Sequence, residues 1–291
     1  MTKELRASDA EPALGPEVVE RLLERLGLHK RPSLDLGDLN QLYAAFCCNI
    51  SFDNVQKRIW FAGPQTTPLP GGDPTEFFNN FLRHGTGGTC WPLNGAMYAL
   101  VHALGFRARR IVGSVIVEGY PRGANHGSVL VDLDGISYVV DAWMASFKVL
   151  PLVPGRPAST GDGIHDIRAV PIEAGFEIIS YPGFDREHPL PFRPEPEYDP
   201  VDHTFFLARA DRTRTVGFFN DVLFISRHFP DSILTIGRKS KFKVATDGTV
   251  TRTEPTEAER KKSLIEEFGL SEEIVDAIPP NIAGAIAPPG I

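Results

Sequence analysis

Apolar positions in the first hundred residues recur at helical spacing, and beyond them the period shortens to that of a strand. Val18, Val19, Leu22, Leu23 and Leu26 mark one helical face, opened by the first-turn proline Pro16 and closed at Gly27. Residues 38–48 predict a second helix, which the stretch Asn49 to Asn54 interrupts. Phe61 to Gly72 is rich in proline and glycine and reads as loop. Asp73-Pro74-Thr75-Glu76 opens the next helix with a capping residue, a proline at the first position and a carboxylate at the third, and it runs to about Arg83. A glycine turn leads to Cys90 and a helix reading Asn94 to Leu104, which Gly105 ends. Alternation then sets in. Arg109 to Glu118 reads as a strand, and Ser128 to Leu133 and Ile136 to Val140 flank the hairpin turn Asp134-Gly135. Residues 151–200 carry many prolines and glycines, with strand-like patches near Ala169 and Ile178. Phe218 to Phe229 and Ser232 to Val244 resume strand patterning before a turn at Asp247-Gly248. Thr256 and Glu259 form the capping box of a helix to Phe268, and Ser271 to Ile278 predicts a short final one. Residues 1–15 read as loosely held and 279–291 as a Pro/Gly/Ala tail. Helices first, antiparallel strands next and a mixed end predict an α+β fold rather than a doubly wound sheet.

Composition narrows the function classes. A chain of 291 residues with net charge −7 is unsuited to nonspecific nucleic-acid binding or to docking on an anionic membrane. No apolar run approaches the roughly 18 residues of a membrane span. The polar N-terminus lacks the apolar centre of a secretory signal, which points to the cytoplasm. Three cysteines do not make a disulfide framework. Cys47 and Cys48 lie in an apolar helical run and read as structural. The histidines lack metal-ligand spacing, so no metal is expected. The glycines at Gly85 to Gly88 lack the Lys-Ser/Thr of a phosphate loop.

Cys90 has a different setting. It follows Gly87-Gly88-Thr89 at the mouth of a helix, where oriented N–H groups and the helix dipole favour thiolate. Thiolate is the form that attacks a carbonyl carbon, and it needs a base that a third group orients. His126 begins one strand of the predicted hairpin and Asp141 ends the other. The turn at Asp134-Gly135 sets them roughly opposite each other, within reach of a hydrogen bond.

These segments resemble the arylamine N-acetyltransferases over roughly residues 16–275. Ile50-Ser51-Phe52-Asp53-Asn54 resembles the family's Ile-Pro-Phe-Glu-Asn. Gly87-Gly88-Thr89-Cys90-Trp91-Pro92-Leu93-Asn94 resembles its Arg-Gly-Gly-x-Cys-x-Glu-x-Asn. Asn125-His126-Gly127-Ser128-Val129 and Tyr138-Val139-Val140-Asp141 resemble its histidine strand and its Tyr-x-Val-Asp. Asn220 to Ser232 is similar to its Asn-x-x-x-Ser-x-His-Pro-x-Ser region. The resemblance implies a helical bundle carrying the nucleophile (1–105), an antiparallel β-barrel (106–210) and an α/β lid with C-terminal helices (211–291), around a cysteine-protease-like Cys-His-Asp core. It implies Cys90, His126 and Asp141 as catalytic triad and acetyl-coenzyme A, or another acyl-coenzyme A, as co-substrate. Ser226, His228 and Ser232 would contact the coenzyme, and Phe52, Trp143 and Met144 would line the acceptor pocket. The implied reaction moves an acyl group through a cysteine thioester to a small-molecule arylamine or hydrazine, with ping-pong kinetics.

The chain also departs from that pattern. Thr86 stands for the arginine before Gly-Gly, Pro92 for the glutamate after the nucleophile, and Asp53 for the glutamate of the first motif. After Asp141 the chain reads Ala142-Trp143-Met144-Ala145, which predicts a bulky, apolar and adaptable pocket. Other readings therefore stand beside acetyl transfer. One is an amide synthase taking a longer or carrier-protein-bound acyl group. The others are a cysteine hydrolase and a binding protein.

Overall fold

The computed structural model describes residues 13–117, 123–181, 187–198 and 201–285. The predicted loose N-terminus up to residue 12, Glu118 and the last residues of the tail lie outside them. Eight α-helices occur among the described residues: α1 (Pro16–Arg25), α2 (Leu36–Asn49), α3 (Val55–Ala62), α4 (Pro74–His84), α5 (Cys90–Leu104), α6 (His203–Arg212), α7 (Glu257–Glu266) and α8 (Glu272–Ala277). Their ends follow the capping chemistry legible in the sequence. The Asp73 side chain accepts from the Glu76 N–H, and α4 stops at Gly85 with φ +73°. Thr256 and Glu259 close a reciprocal capping box on α7.

Helix α5 begins at Cys90, four residues before the apolar spacing suggests. Pro92 does not prevent this, because an N–H in the first turn has no helical partner to lose. Trp91, Leu93 and Asn94 are buried along with Met97, Leu100, Val101 and Leu104, so α5 is the central helix of the molecule. It packs with α1, α2 and α4 and against two strands, which makes one apolar core of helices and sheet.

The strands are β1 (Phe52–Asp53), β2 (Arg107–Val115), β3 (His126–Leu133), β4 (Ile136–Val139), β5 (Leu150–Leu152), β6 (Ala158–Ser159), β7 (Arg168–Ile172), β8 (Gly175–Ser180), β9 (Leu190–Pro194), β10 (Phe224–Phe229), β11 (Ser232–Gly237), β12 (Ser240–Ala245) and β13 (Val250–Thr253). An eight-stranded antiparallel sheet runs β5-β4-β3-β2-β9-β8-β7-β6. Its two ends meet where β5 packs beside β6 and β7, so it curls into a nearly closed barrel. A five-stranded sheet runs β1-β10-β11-β12-β13. Residues of α3, α7 and α8 cover it in a second core. The α+β arrangement expected from the sequence is the one observed.

Several elements differ from the reading of the sequence. The predicted strand Ser232 to Val244 is two strands, β11 and β12, joined by a turn in which Arg238 has φ +39°. Helix α3 was not legible, since its buried positions include Lys57 and Arg58. Strand β9 contains Pro191 and Pro194, which argue against a strand inside a sheet, yet it lies between β2 and β8. Helix α6 buries only Phe206 and so lacks an apolar stripe.

Candidate active site

Backbone geometry brings three chain segments to the N-terminus of α5. His126 opens β3, and Asp141 lies just past β4. The turn between these strands has Asp134 and Gly135 at φ +50° and +80°, the conformation that favours Asp-Gly. The register pairs Leu130 with Val139, and its continuation sets Asp141 opposite Ser128 rather than opposite His126. The expected face-to-face pair is therefore diagonal. It closes all the same, with His126 Nε2 2.7 Å from Asp141 Oδ2.

Asn94, one turn into α5, locks the helix onto this hairpin. Its Nδ2 donates to Gly127 O at 2.7 Å and to Asp141 Oδ1 at 2.9 Å, and its Oδ1 accepts from Ala142 N at 2.8 Å. The approach is close because Gly127 lacks a side chain. A Cβ there would sit 2.4 Å from Phe206 and 2.6 Å from Trp91. Asp141 is fully buried, and its Oδ1 also accepts from Trp143 N at 2.9 Å. Tyr43 Oη donates to its backbone carbonyl at 2.6 Å. Neither Asn94 nor Tyr43 was assigned a role from sequence. Asn94 stood inside the Cys90 motif, and Tyr43 carried no signal beyond its place in an apolar helix.

The His126 ring is buried between Trp143 and Phe192, with centroids 4.7 and 5.0 Å away. Burial alone would lower its pKa. The Asp141 carboxylate outweighs burial and, with hydrogen bonds to Asp141 and Cys90, raises it well above the ordinary imidazole value. Burial would raise Asp141, and the facing imidazolium wins and holds it low. Because Nε2 is committed to Asp141, Nδ1 is the nitrogen left for Cys90.

Cys90 is half-buried at the first position of α5. The glycine turn before it is held by Asp53. Its Oδ2 accepts from Gly87 N at 2.6 Å, and its own N–H donates to Gly88 O at 3.0 Å. Gly87 passes so close to Ser51 that a Cβ would lie 1.8 Å from the Ser51 carbonyl oxygen.

A cavity of about 640 Å³ opens in front of Cys90 and His126. Phe52, Trp143, Met144, Ser226 and His228 line it. Ser232 is not brought there; it is buried in β11 with its hydroxyl on Asp231 Oδ1. A second cavity of about 950 Å³ lies on the other side of the α5 N-terminus, lined by Pro92 among others. Lys57, Thr89, Trp91 and Thr213 line both. Among the described residues there is no cluster of three or more side chains suited to a metal ion. No described helix is long and apolar enough to cross a membrane.

Burial pushes the Cys47 thiol well above the ordinary range and the Cys48 thiol to about 11. Iodoacetamide at neutral pH is therefore expected to label Cys90 at least ~10-fold faster than either. Peptide mapping of the folded protein checks this, and equal labelling of all three would contradict it.

A buried carboxylate, an imidazole and a half-buried thiol at a helix N-terminus define a protein equipped for cysteine nucleophilic chemistry. A family model described as N-acetyltransferase matches residues 35–178, which contain all three groups. An arylamine N-acetyltransferase of Mycolicibacterium smegmatis is 30% identical over 94 residues; the match spans 32% of this chain and 32% of that protein. The solved arylamine N-acetyltransferase of Salmonella typhimurium superposes with a TM-score of 0.75 at 19% identity, over 91% of this chain and 98% of that one. That of Bacillus cereus, described with a unique Cys-His-Glu catalytic triad, superposes with a TM-score of 0.69 at 16% identity, over 88% and 100%. Over residues 35–178 the chain is thus similar in sequence to N-acetyltransferases, and over most of its length it shares the fold of the solved arylamine N-acetyltransferases.

Proposed function

We propose that the protein is a cytoplasmic acyltransferase that carries an acyl group on Cys90 from acetyl-coenzyme A to a small-molecule amine, by a ping-pong mechanism. The observation that carries this reading is the commitment of His126 Nε2 to Asp141 at 2.7 Å, which leaves Nδ1 as the nitrogen to serve Cys90 in the same cavity lining. In the first half-reaction the Cys90 thiolate attacks the thioester carbonyl carbon. The bond from that carbon to the coenzyme sulfur breaks, and the leaving thiolate takes a proton from His126. In the second half-reaction the amine nitrogen attacks the acyl-cysteine. His126 accepts the amine proton, the Cys90 carbon–sulfur bond breaks, and the amide departs with the thiolate restored. Asp141 stays ionised and orients the ring throughout. Residues 211–291 serve as the lid, since Ser226 and His228 reach the Cys90 cavity from β10. They are the candidate coenzyme contacts in this reading, and no metal takes part.

The cavity in front of Cys90, at about 640 Å³ and flanked by Trp143 and Met144, is larger than an acetyl group needs. That favours a second reading beside the first, an amide synthase loaded with a longer acyl thioester, free or on a carrier protein. Incubation with a mixture of acyl-coenzyme A thioesters followed by intact mass and peptide mapping tests both. The expected result is one acyl adduct on Cys90, removed when an arylamine is added. Acetyl alone supports the first reading and longer chains support the second. The absence of any adduct on Cys90 across the panel would overturn both.

A further inference from the structure

Lys57 is a buried cation whose hydrogen-bond partners are neutral. Its side chain is 8% exposed. Its ammonium donates to Thr213 Oγ1 at 2.9 Å and to Thr213 O at 3.2 Å, both neutral acceptors, and lies 6.0 Å from the Phe61 ring centroid. Among the described residues no carboxylate makes an ion pair with it. Burying an ammonium without an anion is strongly unfavourable, so the fold must supply negative charge nearby.

Charged and titratable groups face it from both cavities. Asp53, one turn before Lys57, has Oδ2 on Gly87 N and Oδ1 on Val55 N. Burial pushes its carboxyl up to about 7 against those two bonds, so it is a weak anion. In the second cavity Lys57 shares the lining with Asp73, Glu76 and Asp211, and with the cationic or titratable Arg110 and His203. On the other side it shares the lining with Cys90, His126, His228, His188, Tyr181 and Cys47. Burial lowers the Lys57 ammonium to about 8, and negative charge on Cys90 is what opposes that fall. An attraction between two sites acts equally on both.

We propose that Lys57 is a positioning residue for the Cys90 thiolate, its ammonium supplying fixed positive charge across the wall shared by the two cavities. The imidazolium of His126 faces the thiolate in the free enzyme and again when the acyl-cysteine bond breaks. Lys57 adds a second positive charge in both states, one that does not take part in proton transfer. Lys57 lies three residues beyond the Ile50 to Asn54 segment, outside every motif the sequence singled out.

The test reads the thiolate directly, without an acyl donor. The rate of Cys90 alkylation by iodoacetamide is measured against pH in the wild type and in Lys57→Met, Lys57→Gln and Lys57→Arg. In Lys57→Met the rate at neutral pH is expected to fall about tenfold, and the pH of half-maximal rate to rise by about one unit. Lys57→Arg keeps the wild-type profile within about threefold. Lys57→Gln keeps a donor to Thr213 and is read in place of Lys57→Met if the latter loses its thermal transition; it is expected to behave like the methionine variant. An unchanged profile in a folded neutral variant overturns the proposal. So does a loss in Lys57→Arg as large as in Lys57→Met, since packing and not charge would then be responsible. Acetyl loading of Cys90 by acetyl-coenzyme A is followed in parallel. Loading with an unchanged alkylation profile overturns the role of Lys57 and leaves acyl transfer standing.

Discussion

Asp141→Asn is expected to lower turnover by about 10³–10⁴-fold while the protein stays folded. The hydrogen-bond network decides the outcome. Asp141 Oδ1 accepts from Asn94 Nδ2 and Trp143 N, so the asparagine carbonyl must take that side. Its amide NH2 then faces His126 Nε2, which has to become an acceptor. The ring proton moves to Nδ1, the nitrogen facing Cys90, and the imidazole can no longer accept a proton there. The variant should keep its thermal transition and its circular dichroism, and steady-state acyl transfer with saturating donor and amine measures the loss. Near-normal turnover would remove Asp141 from the mechanism.

Gly87→Ala is expected to destabilise the protein by about 4 kcal/mol, at the upper end of single-substitution effects. The alanine Cβ would lie 1.8 Å from the Ser51 carbonyl oxygen, a backbone atom with no rotamer to retreat to. Relief requires the glycine turn to move away from β1. That breaks the bond from Gly87 N to Asp53 and shifts the first residue of α5, which is Cys90. Urea denaturation measures the stability, and acyl loading of whatever fraction remains folded measures the displacement. A loss below about 1 kcal/mol would mean that the turn is far more pliable than its contacts imply.

Both predictions concern residues whose neighbours come from distant parts of the chain, and that divides what was legible from what was not. The α4 cap at Asp73, the α7 capping box and the hairpin around Asp134-Gly135 are local devices. Each rests on residues within a few positions of one another, so each could be read directly. His126 and Asp141 belong to that hairpin and were legible for the same reason. Their diagonal offset was not, since register depends on pairing along the whole strand. The roles of Asn94 and Tyr43 depend on α5 and α2 docking against the strand ends, which no spacing encodes. Ser232 shows the converse case. Its place in a motif suggested the coenzyme, and the structure buries it in β11, outside the lining of the Cys90 cavity.

By itself the order of residues determined six of the eight described helices, the central hairpin and the identity of the thiol, imidazole and carboxylate, because short-range sterics, capping and periodicity act within a turn or a strand. Tertiary structure alone decided the commitment of Nε2 to Asp141, the clamp made by Asn94 and the burial of Lys57 between two cavities. These depend on desolvation and on contacts across as many as 156 positions, as between Lys57 and Thr213, and such quantities exist only once the chain has closed on itself.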